Sequence, residues 1–515
     1  MNSLETIWGQ LPRTIQHAIE FVACIGEEYL WIDRLCIVQD DDVSKGEQIR
    51  HMAFIYGNAY FTLVAAAAYS ATGGLRGIKD VTPSMYHNRR SDEGHYGLIA
   101  RSPWNRRGWT LQELVFSQRA LFFHHNKVTW ECHCAVWHED SSPKDLSTKN
   151  CLGTYAPDTR GFRYSPWPNL EEFYRLATSY SRRELTFLTD VLPAFAGITT
   201  ALTRCFPGGF LFGLPEIAFD VALLWRTLDG GSFRSRLDGG LVPSWSWMIC
   251  FDLESSADFL PWASAFSYVD NSNFHGDDPQ THGSAWNRKS LPKGFLGGLI
   301  TKPFCSWYAK ESRGNRRIAN NLDEFKDCSI DPTHELPLGW LKDGDLFHHP
   351  CDPERRFKYP ISLVTNEEEV DQTKEASFYI SCKTERAWFF SLPEDGGLAA
   401  HKLERDGVVN LYDSKETWVG CLRVQTRIKL WRLLCRKEKI ELTAISIGSI
   451  DSDASGWTHL DEHPELERQN RGVFEFYNVL LVEWKDGVAY RHGIGRVDKL
   501  AWERQSREEL ELILG

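Results

Sequence analysis

The stretch YLWIDRLCIVQDD, Tyr29 to Asp41, decides the fold predicted for the first part of this 515-residue chain. Tyr29 to Ile32 is a short apolar run that favours a strand, and it ends at Asp33. Leu35 to Val38 continues the apolar pattern up to an acidic turn at residues 40–42. We therefore expect a buried strand followed by a loop.

Helical patterns flank this stretch on both sides. Before it, residues 11–25 place apolar side chains at helical spacing. After it, Ser44 and Glu47 have the spacing of a capping box, and the helix that they begin extends to about Asn58. Residues 61–66 have the pattern of the next strand. This alternation of helices and strands predicts an α/β domain with a parallel sheet covered on both faces.

The composition indicates a folded protein that does not bind nucleic acid and does not span a membrane. The net charge of −12 argues against nucleic acid, because neutralising phosphates needs a basic face. The longest apolar run, residues 61–68, is too short to span a bilayer, and the N-terminus lacks the pattern of a signal peptide. The 13 cysteines are scattered, as in a reducing compartment. We expect a soluble cytoplasmic protein without disulfides.

Periodicity and composition divide the chain into four parts. Residues 1–137 form the α/β domain, and residues 138–168, rich in Ser, Pro, Lys and Asp, form a linker. Residues 169–240 are expected to be a helical connector. Residues 241–515 are expected to be a β-rich C-terminal region with long polar loops.

Individual elements are predicted inside the last two parts. Helices are expected over residues 170–180, 184–202 and 217–228, and strands over 377–381, 417–424 and 440–447. The clearest hairpin pairs residues 473–484 with 488–494, because the intervening Lys-Asp-Gly favours a tight turn.

Four segments in this order carry a resemblance to a known family: LPRTIQHAIEF from Leu11, YLWIDRLCIVQDD from Tyr29, MAFIYGNAYFTLVAAAA from Met52, and RGWTLQELVFSQRALFF from Arg107. They resemble the signature blocks of the fungal heterokaryon-incompatibility (HET) domain. Three later segments resemble regions that follow this domain in relatives: SYSRRELTFLTDVLPAFAGI, VPSWSWM and YNVLLVEWKDGVAYRHGIGRV.

The resemblance implies a fold related to Toll/interleukin-receptor (TIR) domains, with a flavodoxin-like parallel sheet. The family opens with a strand of the type Leu-Ser-Tyr-x-Trp-Gly, of which this chain has only Trp8-Gly9. We therefore expect the sheet to lack its first strand.

The resemblance also implies a function. A HET domain is expected to trigger a cell-death response in self/non-self recognition, by self-association or by recruiting a protein partner. One alternative is an enzyme of the TIR type that cleaves NAD as its substrate, with no other cofactor. Another is a truncated, inactive family member.

Five residues of the signature blocks are candidates for a site. Cleavage of NAD passes through an oxocarbenium-like state, which a carboxylate stabilises between apolar walls. Glu113 and Asp33 are the candidate catalytic carboxylates. Arg107, Trp109 and Trp31 are the candidate ligand-binding residues.

Structural roles compete with the catalytic ones. Thr110 and Glu113 have the spacing of a capping box, and Trp109 with Leu114 has the spacing of a hydrophobic staple. Asp33 at the end of a strand could cap the following loop instead of binding a ligand.

The sequence predicts no metal site. Cys132 and Cys134, with His124, His125 and His138 nearby, are types of residue that bind zinc. Their spacing differs from that of structural zinc sites, and no second pair follows, so buried thiols in a hairpin are expected. The acidic residues 40–42 are expected to complement the dipole of the following helix.

Overall fold

The structure is a computed structural model. It describes residues 3–76, 78, 94–125, 127–132, 136–139, 170–206, 208–233, 240–253, 300–318, 341–343, 346–350, 352–357, 377–393, 407–425, 433, 436–451 and 473–515. These residues form two compact units. Unit 1 takes the described residues of Met1–Arg163 and Arg183–Ala201, and unit 2 takes those of Tyr164–Arg182, Leu202–Asp278 and Trp286–Gly515.

Unit 1 combines short helices with a small sheet. Its helices are α1 (Ser3–Ile7), α2 (Arg13–Cys24), α3 (Asp33–Cys36), α4 (Asp42–Arg50), α5 (Met52–Asn58), α6 (His95–Arg101) and α7 (Thr110–Phe116). Its strands are β1 (Thr62–Val64), β2 (Arg119–Phe123), β3 (Val128–Cys132) and β4 (Val136–His138). Single turns of 3₁₀-helix cover Trp8–Gln10, Trp104–Arg106 and Leu188–Asp190.

The sheet of unit 1 is mixed, which corrects the prediction of a parallel sheet. Its order is β1-β2-β3-β4, and only β1 and β2 are parallel. The pairs β2–β3 and β3–β4 are antiparallel, because short connections join consecutive strands there. The predicted strand over residues 61–66 is confirmed as β1, whereas the described residues do not confirm a TIR-like fold.

The strand predicted over Tyr29 to Ile32 is wrong, since these residues form neither helix nor strand. The carbonyl of Ile32 accepts hydrogen bonds from the N–H groups of Leu35 and Cys36. This carbonyl is therefore bonded to the first turn of α3 instead of to a neighbouring strand. Tyr29 is 90% exposed, and Trp31 packs on the ring of Tyr56. Tertiary contacts here outweigh the strand preference of a short apolar run.

The capping box predicted at Ser44 and Glu47 is also wrong. The carboxylate of Asp41 accepts hydrogen bonds from the N–H groups of Val43 and Ser44, both at 3.1 Å, so the helix begins earlier. An acidic residue thus satisfies the first turn of α4, in keeping with the role expected for the acidic run. The helical segment divides at His51, where α4 ends and α5 follows.

Two groups of buried side chains hold unit 1 together. One lies against β1 and β2 and contains Val64, Ala66, Ile99, Trp104, Leu114, Ala120 and Phe122. The other contains Ala18, Leu75, Ile78 and Phe123, and it packs α2 on the sheet. The helix predicted over residues 11–25 is confirmed as α2, whose buried face carries Ile15, Ala18 and Val22.

Unit 2 begins with helices and short strands. Its first elements are α8 (Leu170–Ser181), α9 (Pro193–Thr203, which begins in unit 1), β5 (Phe210–Leu211), β6 (Leu214–Pro215), α10 (Phe219–Ala222), β7 (Thr227–Phe233) and β8 (Cys250–Leu253).

The helix predicted over 170–180 is confirmed as α8, and the one over 184–202 is confirmed only in its second half. The helix predicted over 217–228 is confirmed only in its first half, where residues 217–218 end a turn of 3₁₀-helix and α10 follows. Strand β7 begins at Thr227 and replaces the end of the predicted helix.

Strands dominate the rest of unit 2. They are β9 (Ile300–Pro303), β10 (Tyr308–Glu311), β11 (Gly314–Arg317), β12 (Leu341–Asp343), β13 (Leu346–His349), β14 (Asp352–Phe357), β15 (Ile380–Ser391), β16 (Val408–Tyr412), β17 (Trp418–Val424), β18 (Glu438–Asp451), β19 (Val473–Lys485), β20 (Val488–Asp498) and β21 (Glu508–Leu514). The helix α11 (Lys499–Arg504) lies between the last two strands.

The main sheet of unit 2 has ten strands and closes on itself. Strands β15-β16-β17-β20-β19-β18 follow one another, and β18 pairs again with β15. Their inner side chains form a core around Phe389, Tyr477 and Trp502, whose rings stack at 5.7 and 5.4 Å. The predicted β-rich C-terminal region is confirmed.

The terminal hairpin is confirmed as β19 and β20. Lys485 pairs with Val488, so Asp486 and Gly487 alone make the turn. Both have positive φ, 51° and 78°, the geometry of a tight turn that follows the twist of the strands.

Across the described residues, every helix is too short or too polar to cross a membrane.

Candidate functional site

Glu113 lies in the first turn of α7, and its carboxyl group is held by the residues before the helix. The indole N–H of Trp104 donates a hydrogen bond of 2.9 Å to Oε2 of Glu113. The Oγ1 atom of Thr110 lies 2.8 Å from the carbonyl oxygens of both Trp104 and Arg107. The capping box predicted here is therefore wrong, because the preceding 3₁₀ turn supplies partners that both side chains prefer.

A buried arginine fixes the loop before α7. Arg183 donates through Nη1 to Oγ1 of Thr110 at 2.8 Å, and through Nη2 to Oδ1 of Asn105 at 2.6 Å. The backbone of Glu184 accepts from Gly108 at 2.7 Å and donates to the carbonyl of Arg106. The loop from 105 to 110 is thus held by a second segment of unit 1. Sequence reasoning missed Arg183, whose only signal is its place in the block SYSRRELTF.

Burial and charged side chains shift the pKa of Glu113. Burial raises its pKa above the ordinary value, and the hydrogen bond from Trp104 opposes this. The charge of Arg107 also lowers the pKa of Glu113, whereas the charge of Asp33 raises it. Asp33 and Arg107 therefore act electrostatically on Glu113, although they lie far apart in the sequence.

Tyr56 completes this group of side chains. Burial raises the pKa of its hydroxyl well above the usual range, and the carboxylates of Glu113 and Asp33 raise it further. Its ring lies 5.9 Å from that of Trp31, in an edge-to-face arrangement. We call Trp31, Asp33, Tyr56, Arg107 and Glu113 the acidic cluster. Sequence reasoning missed Tyr56, which lies in the helical block between the two acidic residues.

Two of the candidate residues have local partners as well. Asp33 begins α3 instead of ending a strand, and its Oδ1 accepts a hydrogen bond of 2.7 Å from the N–H of Arg34. The indole of Trp109 donates to Oδ2 of Asp190 at 3.0 Å, so this side chain is directed to a partner outside the acidic cluster.

The acidic cluster has features of a site for acid–base chemistry. Glu113 has a raised pKa, while Asp33 is exposed to water. When two carboxyl groups lie in different environments, the one with the raised pKa can donate a proton while the other remains negatively charged. Arg107 is exposed and can attract an anion, and its charge also acts on the hydroxyl of Tyr56.

A second polar cluster includes Thr129 and Glu131 of β3. Buried His95 contacts Oγ1 of Thr129 at 2.8 Å and Oε2 of Glu131 at 2.9 Å, and His124 contacts Thr129 at 3.0 Å. Burial lowers the pKa of His95 to about 4 and that of His124 to about 3, so both rings are neutral at physiological pH.

The residues that the structure describes offer no metal site. Among them, no three His, Cys, Asp or Glu side chains are arranged to hold a metal ion. Cys134 lies outside the described residues, whereas Cys132 is a half-buried free thiol.

Comparison with known families gives one match. Residues 2–113 match the family model described as "Heterokaryon incompatibility protein (HET)". The matched range contains all five residues of the acidic cluster and ends at Glu113, which confirms the resemblance seen in the sequence. The match supports a role related to heterokaryon incompatibility. Comparisons with curated proteins and with solved structures gave no match.

Proposed function

From the HET domain at residues 2–113, we propose that this chain acts in heterokaryon incompatibility as a cell-death signal, and that unit 1 signals by associating with a second copy of itself. The observation that carries this proposal is the apolar surface of the segment from residue 29 to residue 60. Its exposed large side chains are Tyr29, Leu35, Val38, Val43, Phe54 and Tyr60.

Two of these side chains are mostly exposed to water. Val43 is 73% exposed and Phe54 is 68% exposed, although both lie on helices that could have turned polar faces to water. Burial of apolar surface between two copies contributes roughly 25 cal/mol for each Å² removed from water. A contiguous exposed apolar patch is typical of an association surface, and these side chains are its candidate residues.

Association can be tested by analytical ultracentrifugation of the full chain over a range of concentrations. We expect the wild type to associate and Val43→Asp/Phe54→Asp to remain monomeric. The matched control is Leu500→Asp, because Leu500 is an exposed apolar side chain of unit 2. If the wild type is monomeric at every concentration, the proposed association is wrong.

A second function is favoured by the acidic cluster, namely hydrolysis of NAD. Water would attack the ribose carbon as the bond to nicotinamide breaks, which gives ADP-ribose, nicotinamide and a proton. Glu113 or Asp33 would stabilise the positive charge that develops on the ribose, and Arg107 would attract the phosphates. The exposed carboxyl group of Asp33 and the rings of Trp31 and Tyr56 support this role.

This second function is tested by NAD consumption. We expect turnover by the wild type and none by Glu113→Ala or Asp33→Ala, with circular dichroism to confirm that each variant is folded. Glu47→Ala removes an exposed carboxylate of α4 and serves as the control. If the protein associates but does not consume NAD, only the signalling role is supported. If it is folded and shows neither property, it is an inactive family member.

A further inference from the structure

A groove of about 480 Å³ lies in unit 1 between the end of α2 and one face of the sheet. Phe21 and Ile25 line it from the helix, while Leu121, Trp130 and Trp137 line it from three neighbouring strands. This volume is that of sites for small organic molecules, which usually measure roughly 300–1,000 Å³. None of these residues belongs to the acidic cluster.

Aromatic rings form two walls of the groove. On the sheet, the strand register places Leu121 opposite Trp130, and Trp130 opposite Trp137. The two indole rings lie 6.5 Å apart with an interplanar angle of 40°. On the other wall, Phe21 packs edge-to-face on Phe123 at 5.6 Å. Trp137 is 38% exposed, so its ring remains open to a ligand.

The charge of the groove is negative. Glu139 is among its lining residues, and the described lining residues include neither Lys nor Arg. Oε2 of Glu139 accepts a hydrogen bond of 3.0 Å from the N–H of Val128, which anchors the carboxylate beside the aromatic walls. Faces of indole and phenyl rings are themselves electronegative, so the rings and the carboxylate favour the same kind of ligand.

We propose that this groove binds an organic cation, a substituted ammonium ion whose alkyl groups contact the rings of Trp130 and Trp137 and whose charge lies near Glu139. A small anion would be repelled by the carboxylate. An uncharged hydrocarbon would gain the apolar contact but would cover a carboxylate that it cannot pair. A cation alone satisfies both the rings and the charge.

Calorimetric titration of the full chain with butyrylcholine tests the proposal. The comparison ligand is the uncharged ester in which a tert-butyl group replaces trimethylammonium, because the two differ in charge and hardly in shape. We expect butyrylcholine to bind about ten-fold more tightly than the uncharged ester. Equal affinity for the two ligands, or no binding of butyrylcholine, would overturn the proposal.

Variants of the groove locate the binding. We expect Trp137→Ala and Glu139→Gln each to weaken binding of butyrylcholine by about five- to ten-fold. Trp137→Phe keeps a ring face and should retain most of the affinity, which separates loss of the ring from loss of the fold. The matched control is Trp484→Ala, since Trp484 is 37% exposed and lies in unit 2. If Trp137→Ala and Glu139→Gln both bind like the wild type, the groove is not the site.

Discussion

The indole N–H of Trp104 donates a hydrogen bond of 2.9 Å to Oε2 of Glu113, and so ties the carboxyl group of α7 to the core. Trp104 is buried, and its ring packs edge-to-face on Phe122 at 5.9 Å. Because packing on β2 fixes the indole, the indole in turn fixes the carboxyl group. Trp104 is therefore a positioning residue for Glu113.

Trp104→Phe should keep most of the packing on Phe122 and remove the hydrogen bond to Glu113. We expect the free energy of unfolding to fall by about 1–3 kcal/mol, because a partly buried acceptor loses its donor. Urea unfolding measures this change. Trp109→Phe, which removes the hydrogen bond to Asp190, provides a control for the loss of an indole donor. A Trp104→Phe variant as stable as the wild type would contradict the positioning role.

Glu113 should make the folded state less stable as the pH rises. Its folded pKa is raised, mainly by burial, so the folded state holds its proton more tightly than the unfolded chain does. Stability is therefore greatest below the unfolded pKa of about 4.3 and decreases as the pH rises towards the folded pKa.

Glu113→Gln removes this titration and can still accept the hydrogen bond from Trp104. We expect the variant to gain stability relative to the wild type between about pH 4 and pH 7, measured by urea unfolding. Glu47→Gln, at an exposed position, should show no such trend. The pKa assignment is wrong if the difference between Glu113→Gln and the wild type is constant over this range.

Elements with strong local signals could be predicted from the sequence. The hairpin of β19 and β20 follows from two long apolar segments around Asp486 and Gly487, which adopt the positive φ that the turn requires. Helix α2 follows from helical spacing of its apolar residues. In both cases neighbouring residues determine the structure.

Elements that depend on distant partners could not be predicted. Tyr29 to Ile32 resembles a strand, yet Trp31 packs on Tyr56 and the carbonyl of Ile32 is taken by α3. In the acidic cluster, Asp33, Arg107 and Glu113 stood out because they lie in distinctive blocks. Arg183 contacts Thr110 across 73 positions, and no local pattern indicates such a contact.

Gly197 of α9 is required by the packing of Gln112. A Cβ atom at this position would lie 2.1 Å from Oε1 of Gln112 and 3.2 Å from Cβ of Ala53. The amide of Gln112 would have to move, which would break its hydrogen bond to the carbonyl of Pro193. We expect Gly197→Ala to lower the free energy of unfolding by about 1–3 kcal/mol, measured by urea unfolding.

The matched control for Gly197→Ala is Gly46→Ala in α4. A Cβ atom at Gly46 would have no atom within 4 Å. This substitution should raise stability by about 0.5–1 kcal/mol, because alanine favours the helix. If Gly197→Ala also stabilises the protein, the contact with Gln112 is less tight than the structure indicates.

The buried histidines should make unit 1 sensitive to acid. The folded pKa of His95 is lowered to about 4 and that of His124 to about 3, so the unfolded chain binds more protons below pH ~6.5. The neutral histidines contribute their full stabilisation above that pH, and the free energy of unfolding decreases as the pH falls below it. For His95 alone the decrease is about 3 kcal/mol at pH ~4. His124→Gln should flatten this dependence in urea unfolding, whereas exposed His51→Gln should not. An unchanged pH dependence in His124→Gln would show that the pKa of His124 is the same in the folded and unfolded states.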